Sequence, residues 1–492
     1  MPPQPSDDDQ QTARRDKLRL LQQQGATPYG RTFPKPQLIQ QTVEQYQEGT
    51  KISTAGRLSA KRSHGGLTFA DLQDAGGKIQ LSFRRERLGD AYEQLALWDL
   101  GDWLGVEGVL GKTKTGQITI EVDRATLLAK SLRPMPEKWH GLKDVEIRYR
   151  RRYLDLIANA PVRRLFEQRA RLLATLRSTL TAHGYLEVET PMMHAIPGGA
   201  AGEPFKTHHQ ALDCDLYLRL APELHLKRLL VGGFEKVYEL NRCFRNEGLS
   251  TRHNPEFTML EAYCAYEDYR YMMGLVKTLI VEAATRTIGT LHWEYQGRPI
   301  DLAKPWEVVS FTELLREGYA LQPEDGLEAM QGKLLHPSTG FPAMDIKGQS
   351  RSQVLRVIEQ LIEPKTKEVP VFVTDYWTEL SPLAKSRADT PLIAERFELF
   401  LGGFEIANAY SELNDPIEQR RRFEAQLKDA PRPGAGAKRM DEDFVEALEY
   451  GMPPATGLGM GVDRLAMLLF NQASIKDVIL FPLLKPDEQA RG

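Results

Sequence analysis

The chain has 492 residues, of which 41% are hydrophobic, and its formal net charge is −3 at pH 7. This length predicts two domains with appendages, and the near-neutral charge excludes a globally basic nucleic-acid binder, so contact with a polyanion needs local basic patches. The three cysteines form no CxxC pair, the start is polar and no apolar run reaches membrane length, which together predict a cytoplasmic protein with reduced thiols and no membrane segment.

We assign residues 1–48 to an N-terminal tail and helix. Residues 1–9 are rich in Pro, Asp and Gln, a composition that predicts disorder. Residues 12–24 have the pattern of a helix, which Gly25 ends. The basic residues of this helix form only a short run, which favours a solvated helical face over an RNA contact.

Residues 49–132 have the pattern of an all-β domain. Short alternating strands are separated by turn signals at 64–66, 74–77 and 114–116, and one helix is predicted at about 86–97. Five or six strands with this inserted helix fit an OB-type barrel, which binds single-stranded nucleic acid through cations and aromatic rings. For Phe69, a place in the barrel core is an equally good interpretation. The candidate contacts are Arg57, Lys61, Arg62, Phe69 and Gln80.

Residues 133–155 are predicted to link this barrel to a second domain over 156–492. Four arginines, at 148 and 150–152, either steer a polyanion or form structural ion pairs, and the sequence leaves both open. A helix predicted over 162–183 carries a leucine stripe, which faces either its own core or a second subunit. A strand over 185–190 follows and stops at Pro191.

A long antiparallel hairpin is predicted from two strands, 234–240 and 256–263, that flank a polar loop. The loop region carries Arg242, Arg245, Arg252 and His253. Guanidinium groups match phosphate and carboxylate oxygens, so this cluster indicates an anion site, with Phe257 as a stacking platform. A solvated hairpin with weak surface ion pairs is the competing interpretation.

The C-terminal part contains two further stretches whose residues suit a binding site. Between residues 276 and 389 the sequence patterns are weaker, and we assign 304–365 to a variable insertion. Two strands are predicted to meet at Gly402 and Gly403, with Glu405 and Glu412 on opposite faces of an ideal strand. If both carboxylates bind one ion, a bulge must bring them to the same face. Such carboxylates suit a Mg²⁺ ion that is also bound by phosphate groups. In GLGMGVDRLAMLLF the glycines leave room for a flat ring, which Arg464 can stack upon.

Several of these stretches resemble motifs of one family. FRNEG followed by RHNPEFTMLE is similar to motif two of the class II aminoacyl-tRNA synthetases, in the form found in lysyl-tRNA synthetases. GLGMGVDRLAMLL is similar to motif three, and the helix, strand and proline over 162–191 resemble motif one. The resemblance runs from about residue 50 to the end of the chain. It implies an α+β fold, in which a class II antiparallel-sheet catalytic domain follows an OB-fold anticodon-binding domain.

The resemblance also implies an activity and a set of site residues. The activity is ATP-dependent attachment of L-lysine to the 3′ end of tRNA(Lys) through a lysyl-adenylate, with Mg²⁺ and in a homodimer. Arg245, Glu247 and Arg464 are the implied catalytic residues. The other implied contacts are Arg252, His253 and Phe257 for ATP, Gly199, Glu223, Glu261, Tyr263, Asn414 and Glu418 for lysine, Glu405 and Glu412 for magnesium, and Phe69 and Gln80 for the anticodon.

Three other functions remain open from the sequence. Aspartyl- and asparaginyl-tRNA synthetases share the barrel and the motifs, but their substrates make Glu223 and Glu418 unsuitable partners. A lysyl-type paralogue that modifies a protein would resemble the catalytic domain alone. A non-enzymatic RNA-binding scaffold would have no reason to keep the matched residues. Gln117 stands where some relatives have Glu, which leaves the anticodon preference open.

Overall fold

The computed structural model describes residues 6–35, 37–135, 142–200, 202–339, 341, 346, 348–361, 368–429 and 440–486. The chain divides into two units, Met1–Gly141 and Leu142–Gly492. The first holds a closed β-barrel and the second a large mixed sheet with helices. The predicted order of a β-barrel before an α+β unit is confirmed. Along the described residues, no helix has both the length and the apolar character that crossing a membrane requires.

The first unit is a five-stranded barrel with short flanking helices. Its strands pair in the closed order β1-β2-β3-β5-β4. A 3₁₀ helix, Gly89–Leu97, stands where the sequence predicts a helix at about 86–97. The other elements are α1 (Asp7–Gln23), α2 (Ile39–Glu44), β1 (Lys51–His64), β2 (Leu67–Gln73), β3 (Lys78–Arg84), α3 (Arg85–Leu88), β4 (Trp103–Lys112) and β5 (Ile118–Ala129).

The N-terminal helix begins earlier than predicted. Ser6 caps it: its hydroxyl accepts a hydrogen bond from the Asp9 amide (3.2 Å), and the Asp9 carboxylate accepts one from the Ser6 amide (3.2 Å). This capping box satisfies amide groups that the first turn leaves unpaired. The prediction of disorder is therefore wrong for residues 6–9, while residues 1–5 lie outside the described part.

Alternation along the strands separates the barrel core from its outer face. Thr68, Ala70 and Leu72 of β2 are buried, whereas Phe69 between them is half-buried and projects the other way. The interior is filled by aliphatic and aromatic side chains such as Leu58. Phe69 therefore belongs to the outer face and not to the barrel core, and its RNA contact stays a prediction.

The second unit is organised by an eight-stranded sheet in the order β14-β15-β16-β17-β18-β11-β10-β6. Its central strands are antiparallel, as predicted. The strands are β6 (Leu186–Glu187), β7 (Met193–His194), β8 (Lys206–His209), β9 (Cys214–Leu218), β10 (Lys236–Phe244), β11 (Glu256–Ala265), β12 (His292–Tyr295), β13 (Arg298–Asp301), β14 (Glu307–Ser310), β15 (Val371–Thr374), β16 (Arg396–Leu401), β17 (Phe404–Ser411) and β18 (Ala455–Gly461).

Helices flank this sheet and connect its strands. In chain order they are α4 (Val145–Arg150), α5 (Arg152–Ala158), α6 (Ala160–Ala182), α7 (Glu223–Val231), α8 (Tyr269–Thr287), α9 (Phe311–Tyr319), α10 (Leu327–Leu334), α11 (Arg351–Leu361), α12 (Pro416–Asp429), α13 (Glu442–Glu449), α14 (Val462–Leu469) and α15 (Ile475–Val478). Two short 3₁₀ helices lie at Pro337–Thr339 and Thr378–Leu380.

One face of the sheet forms the main hydrophobic core. Leu260 of β11, Leu458 of β18 and Ala409 of β17 are buried there, against α6, α8 and α14. The leucine stripe of α6 packs into the same core, at Leu172 and Leu176 among others. The stripe therefore faces its own subunit. Because side chains alternate along a strand, the intervening residues project from the opposite face, which is polar.

Two other predicted regions have structural roles. In the arginine cluster, the buried Arg152 donates to the carbonyls of Lys476 (2.9 Å) and Leu480 (3.0 Å) and pairs with Asp155 (2.6 Å). Arg148 also pairs with Asp155 (2.9 Å). These contacts favour the structural interpretation of the cluster. Within the predicted insertion 304–365, β14 pairs with β15 at the sheet edge, and α9, α10 and α11 supply side chains to a separate core.

Candidate functional site

The β10–β11 hairpin places Arg245 above the polar face. Nine residue pairs join the two strands from Lys236–Cys264 to Phe244–Glu256, and the Arg245 amide then donates to the Pro255 carbonyl (2.8 Å). The Arg245 guanidinium carbon lies 5.1 Å from the centre of the Phe257 ring. Its Nε is buried and has no hydrogen-bond partner among the described residues. A buried donor without an acceptor is costly, so this arginine fits an anionic ligand.

A second cationic group gathers at the turn between β16 and β17. Arg464 donates through Nη1 to the Glu405 carbonyl (2.9 Å), and its Nη2 lies 3.3 Å from Nε2 of His253. Arg252 donates to the Gly403 carbonyl (3.3 Å) and lies over the Phe404 ring.

The protonation state of His253 follows from its surroundings. Burial, reinforced by the charge of Arg464, lowers the pKa of His253, so the ring is neutral at neutral pH. Its Nδ1 lies 2.9 Å from the Ser250 hydroxyl, which suits a proton on Nδ1 and a free lone pair on Nε2 for Arg464.

The start of α14 is fixed to the hairpin by a buried aspartate. Asp463 accepts a hydrogen bond from the Thr258 amide (2.8 Å) and pairs with Arg169 of α6 (2.6 Å). Gly461 pairs with Met259 of β11 just before the helix begins. This register brings Arg464, the third residue of α14, to the end of the hairpin that carries Phe257.

Behind the arginines, the polar face contains a buried acidic pocket. Glu223, at the start of α7, accepts hydrogen bonds from Lys227 (2.7 Å) and from the Tyr410 hydroxyl (2.6 Å). Lys227 also forms a close ion pair with Glu412. Lys227 and Glu412 are fully buried, and Glu223 is 5% exposed.

Glu261 and Tyr263 of β11 extend this pocket. The Tyr263 hydroxyl donates to Glu261 (3.2 Å), which is 3% exposed. Burial, followed by the charge of Glu223, raises the pKa of Glu261 to about 8. Burial likewise raises the pKa of Glu412 to about 8, although Lys227 opposes this shift. Burial also opposes a charge on Lys227, yet Glu223 and Glu412 outweigh it and raise the pKa of this ammonium.

The charges of this pocket do not balance. In the described part of this pocket, ionisation of the three carboxyl groups of Glu223, Glu261 and Glu412 would leave two negative charges beyond the one ammonium, that of Lys227. Buried charge is stable only when it is paired, so the pocket favours a ligand that brings further positive charge. Gly457 accommodates two side chains of the pocket, since a Cβ at this position would overlap those of Glu412 and Tyr263.

One glycine-rich loop borders both the acidic pocket and the arginines. A Cβ on Gly199, whose φ is +81°, would lie 3.3 Å from the Glu223 Cβ. A Cβ on Gly202 would lie 3.1 Å from a Glu247 carboxylate oxygen and 3.3 Å from the Arg245 Cδ. Gly199 and Gly202 are three residues apart, so Glu223 and Arg245 border one site.

A bulge in β17 sets which side chains face this site. Phe400 of β16 pairs with Glu405 and Leu399 pairs with Ala407, which leaves Ile406 as an extra residue. The bulge that the sequence required for Glu405 and Glu412 to share a face is therefore present. Their contacts nevertheless differ, because Glu405 contacts Arg464 whereas Glu412 pairs with Lys227 inside the acidic pocket.

Two predicted lysine contacts have other partners in the free protein. Glu418, on the first turn of α12, forms ion pairs with Arg421 and Arg422 (both 2.7 Å). Arg421 is the main reason that the pKa of Glu418 falls to about 2. The Asn414 amide donates to the Met452 carbonyl (3.1 Å). Neither of these contacts involves Glu223, Glu261 or Glu412, so the lysine contacts of Glu418 and Asn414 stay predictions.

Several residues of the site were missed in the sequence. Asn408 faces Glu398 of β16 and donates to its carboxylate (3.2 Å). Glu398 also accepts from the Tyr376 hydroxyl (2.7 Å) and pairs closely with Arg396. The alternation of polar residues at 408, 410 and 412 in an otherwise apolar strand was the available signal. For Lys227, the only signal in the sequence was its position four residues after Glu223, which is one turn of a helix.

Carboxylates near the turn between β16 and β17 are candidate ligands for the expected magnesium ion. Burial, with the charge of Glu405 adding to it, raises the pKa of Glu398 to about 8. Glu398 also pairs with Arg396, whose charge opposes this shift, and Glu412 pairs with Lys227. The identity of the magnesium ligands therefore stays a prediction. Among the described residues, no group of three or more His, Cys, Asp or Glu side chains is arranged to hold a metal ion.

The outer face of the barrel carries the predicted RNA contacts. Arg62 is exposed and pairs with Phe69, and Gln80 lies on the next strand, opposite Asp71, with its side chain accepting from Thr119 (2.8 Å). Lys61, by contrast, donates to two backbone carbonyls that end the 3₁₀ helix, at 2.7 and 2.6 Å. Burial lowers the pKa of Lys61, and its role is structural.

Comparison with known proteins agrees with this geometry. Residues 144–485 match the family model of class II tRNA synthetases (D, K and N), and residues 52–128 match that of the OB-fold nucleic acid binding domain. A lysine–tRNA ligase of Pelotomaculum thermopropionicum is 50% identical, over 96% of this chain and 94% of the relative. The lysine–tRNA ligase of Bacillus subtilis is 46% identical, over 97% of both chains. The chain therefore belongs to the class II tRNA synthetases of the D, K and N group.

Proposed function

We propose that this protein is a lysine–tRNA ligase, which attaches L-lysine to the 3′ end of tRNA(Lys) at the expense of ATP. The observation that carries the proposal is the excess of buried carboxylates in the acidic pocket. Once ionised, Glu223, Glu261 and Glu412 exceed the ammonium of Lys227 by two charges, so lysine, with its two ammonium groups, can bind as Glu261 and Glu412 lose their protons. An aspartate or asparagine substrate would leave these carboxylates unpaired, which disfavours the related aspartyl and asparaginyl activities.

In the first step, a lysine carboxylate oxygen attacks the α-phosphorus of ATP. The new C–O–P linkage is lysyl-adenylate, and the bond to the bridging oxygen breaks to release diphosphate. Glu412 and Tyr263 bind the ε-ammonium in this proposal, Glu223 and the loop at Gly199 the α-amino group, and Asn408 the carboxylate. The buried, unpaired Nε of Arg245 supports a contact with the α-phosphate, where negative charge develops.

The remaining ATP contacts follow from the cationic groups. Phe257 and Arg464 would hold the adenine ring between them, and Arg252 and His253 the outer phosphates. Glu247, beside Arg245 at Gly202, would accept a proton of the adenine amino group. Glu405 and Glu398 would hold Mg²⁺, which when bound neutralises phosphate charge.

In the second step, a ribose hydroxyl at the 3′ end of the tRNA attacks the lysyl carbonyl and AMP leaves. The outer face of the barrel, with Phe69, Gln80 and Arg62, would bind the anticodon. Leu186, Met192 and Met193, which are exposed after α6, support a homodimer interface at this edge of the sheet. A cytoplasmic location is consistent with three free cysteines.

A panel of amino acids tests the proposed function. With purified protein, ATP and labelled diphosphate, exchange into ATP should depend on lysine and not on aspartate or asparagine. Transfer of labelled lysine to tRNA(Lys) should follow the same concentration dependence. Exchange with aspartate or asparagine in place of lysine would contradict the proposal, as would tRNA binding without any exchange.

A further inference from the structure

A row of side chains on the barrel surface lies away from Phe69 and Gln80. Arg57 of β1 pairs with Trp103 of β4, Trp103 pairs with Ala129 of β5, and Ala129 pairs with Tyr29 before α2. Side chains of directly opposed residues project from the same face, so all four share one face. Both aromatic side chains are exposed, Trp103 by 39% and Tyr29 by 54%.

The spacing of this row leaves a gap between the two aromatic side chains. Neighbouring strands lie about 4.8 Å apart, so the backbones that carry Trp103 and Tyr29 are separated by about 9–10 Å. Backbone hydrogen bonds of 2.9 and 3.1 Å between segments 28–30 and 128–130 fix Tyr29 beside Ala129. Ala129, which lies between them, has only a methyl group, so little side-chain volume fills the space between the two aromatic side chains.

The charge of the surroundings indicates the kind of ligand. The Arg57 guanidinium carbon lies 4.8 Å from the centre of the Trp103 ring, and its Nη1 donates to the Gly101 carbonyl (2.9 Å). Arg31, two residues after Tyr29, is exposed. Aromatic rings that alternate with cations are how OB barrels bind unpaired nucleotides, whose bases stack while their phosphates meet the cations.

We infer that Trp103 and Tyr29 form a second stacking platform, which binds an unpaired nucleotide of the RNA on this barrel. The inference rests on the proposed tRNA substrate. The platform is continuous with the anticodon face through β1, which carries Arg57 and, five residues later, Arg62 beside Phe69. Five strand residues span about 16 Å, so the second platform binds a different nucleotide from the one at Phe69.

Alanine substitutions test this platform. Trp103→Ala and Tyr29→Ala should each raise the dissociation constant for tRNA(Lys) about tenfold in filter binding, because a stacked base loses its partner. The dependence of log K on log salt should keep its slope, since neither substitution removes a charge. Trp103→Phe should restore most of the affinity. Leu20→Ala, which removes an exposed apolar side chain from the same unit, is the matched control.

Three further measurements distinguish RNA stacking at this platform from a protein contact or a folding defect. Thermal unfolding and lysine-dependent exchange should match the wild type in every variant, which shows that both units are folded. An unchanged dissociation constant in folded Trp103→Ala and Tyr29→Ala would overturn the inference. A change of oligomeric state in light scattering, with unchanged tRNA affinity, would also overturn it, because the face would then contact protein. Wild-type protein that does not bind tRNA would overturn the proposed function itself.

Discussion

The outer face of the barrel and the polar face of the catalytic sheet both carry charged side chains, but they differ in burial. Arg62 is exposed beside the half-buried Phe69, whereas Glu412 and Lys227 are fully buried. Exposed charges are solvated and screened, so they cost little before a ligand arrives. Excess buried carboxylates are costly until a cation pairs with them. The barrel surface is thus ready in the free protein, while the acidic pocket is completed by the charge of its ligand.

The largest loss of activity is expected on the polar face of the catalytic sheet, from a substitution at Arg245. Arg245→Ala removes a guanidinium aimed at the site of developing phosphate charge, so lysine-dependent diphosphate exchange should fall by about 100- to 1,000-fold. Arg270→Ala provides the control, because Arg270 is an exposed arginine that pairs only weakly with Asp268 (3.1 Å). Exchange near the wild-type rate in Arg245→Ala would remove Arg245 from the proposed mechanism.

The next effect separates Glu412 from Glu418. Glu412→Gln takes a carboxylate out of the acidic pocket, so the KM for lysine in diphosphate exchange should rise by about 100-fold, with little change in the KM for ATP. Glu418→Gln makes the same chemical change at a carboxylate that pairs with Arg421 and Arg422, and it should leave both KM values within about threefold. If the KM for lysine rose in Glu418→Gln and not in Glu412→Gln, the contact with the ε-ammonium would be assigned to Glu418.

A smaller effect is expected from pH. The pKa of Glu261 is raised to about 8, above its ordinary value of 4.5, so the free folded protein binds more protons than the unfolded chain between these values. Its contribution to stability therefore falls as pH rises from about 4.5 to 8. Lysine binding needs the ionised carboxylate and should release a proton below pH 8, so the KM for lysine should fall as pH rises from 6 to 8.

Calorimetry in buffers of different ionisation enthalpy measures this proton release. Glu261→Gln should reduce the number of protons released, and Glu235→Gln, a substitution elsewhere in the same unit, should not. Equal proton release in the wild type and Glu261→Gln would show that this carboxyl group does not titrate with lysine binding.

The smallest effects are expected on the barrel. Phe69→Ala should raise the dissociation constant for tRNA(Lys) about tenfold and leave lysine-dependent exchange unchanged. Lys61→Met should instead lower the melting temperature, because it removes the donor that holds the two carbonyls at the end of the 3₁₀ helix. If Lys61→Met weakened tRNA binding without loss of stability, Lys61 would belong to the RNA contacts after all.

The sequence was sufficient for the elements that local patterns determine. The hairpin that carries Arg245 follows from alternation and turn residues, and the position of Arg464 at a helix start follows from the resemblance to motif three, whereas the strand over the glycines before it was not predicted. The N-terminal helix was placed too late because a cap at Ser6 outweighs the polar composition of residues 7–9. Its first turn is acidic, which also suits a helix N-terminus.

Side-chain assignments that depend on tertiary structure were less accessible. The sequence indicated that a bulge was needed in β17 but not where it lies, and it gave no sign that Glu412 pairs with Lys227. Lys61 was expected to contact RNA because its buried carbonyl partners lie more than thirty residues away in the chain. Spacing along a chain cannot locate such partners, whereas strand register does.

The extra residue in β17 also fixes the register of this strand. If Ile406 paired regularly with Leu399 instead of bulging out, the pairing would shift by one residue and every following side chain would turn to the other face of the sheet. Asn408 and Tyr410 would then point into the hydrocarbon packing beneath the sheet, and Ala407 and Ala409 would take their places above it. Lysine recognition in this protein thus depends on a single inserted peptide unit that touches no ligand.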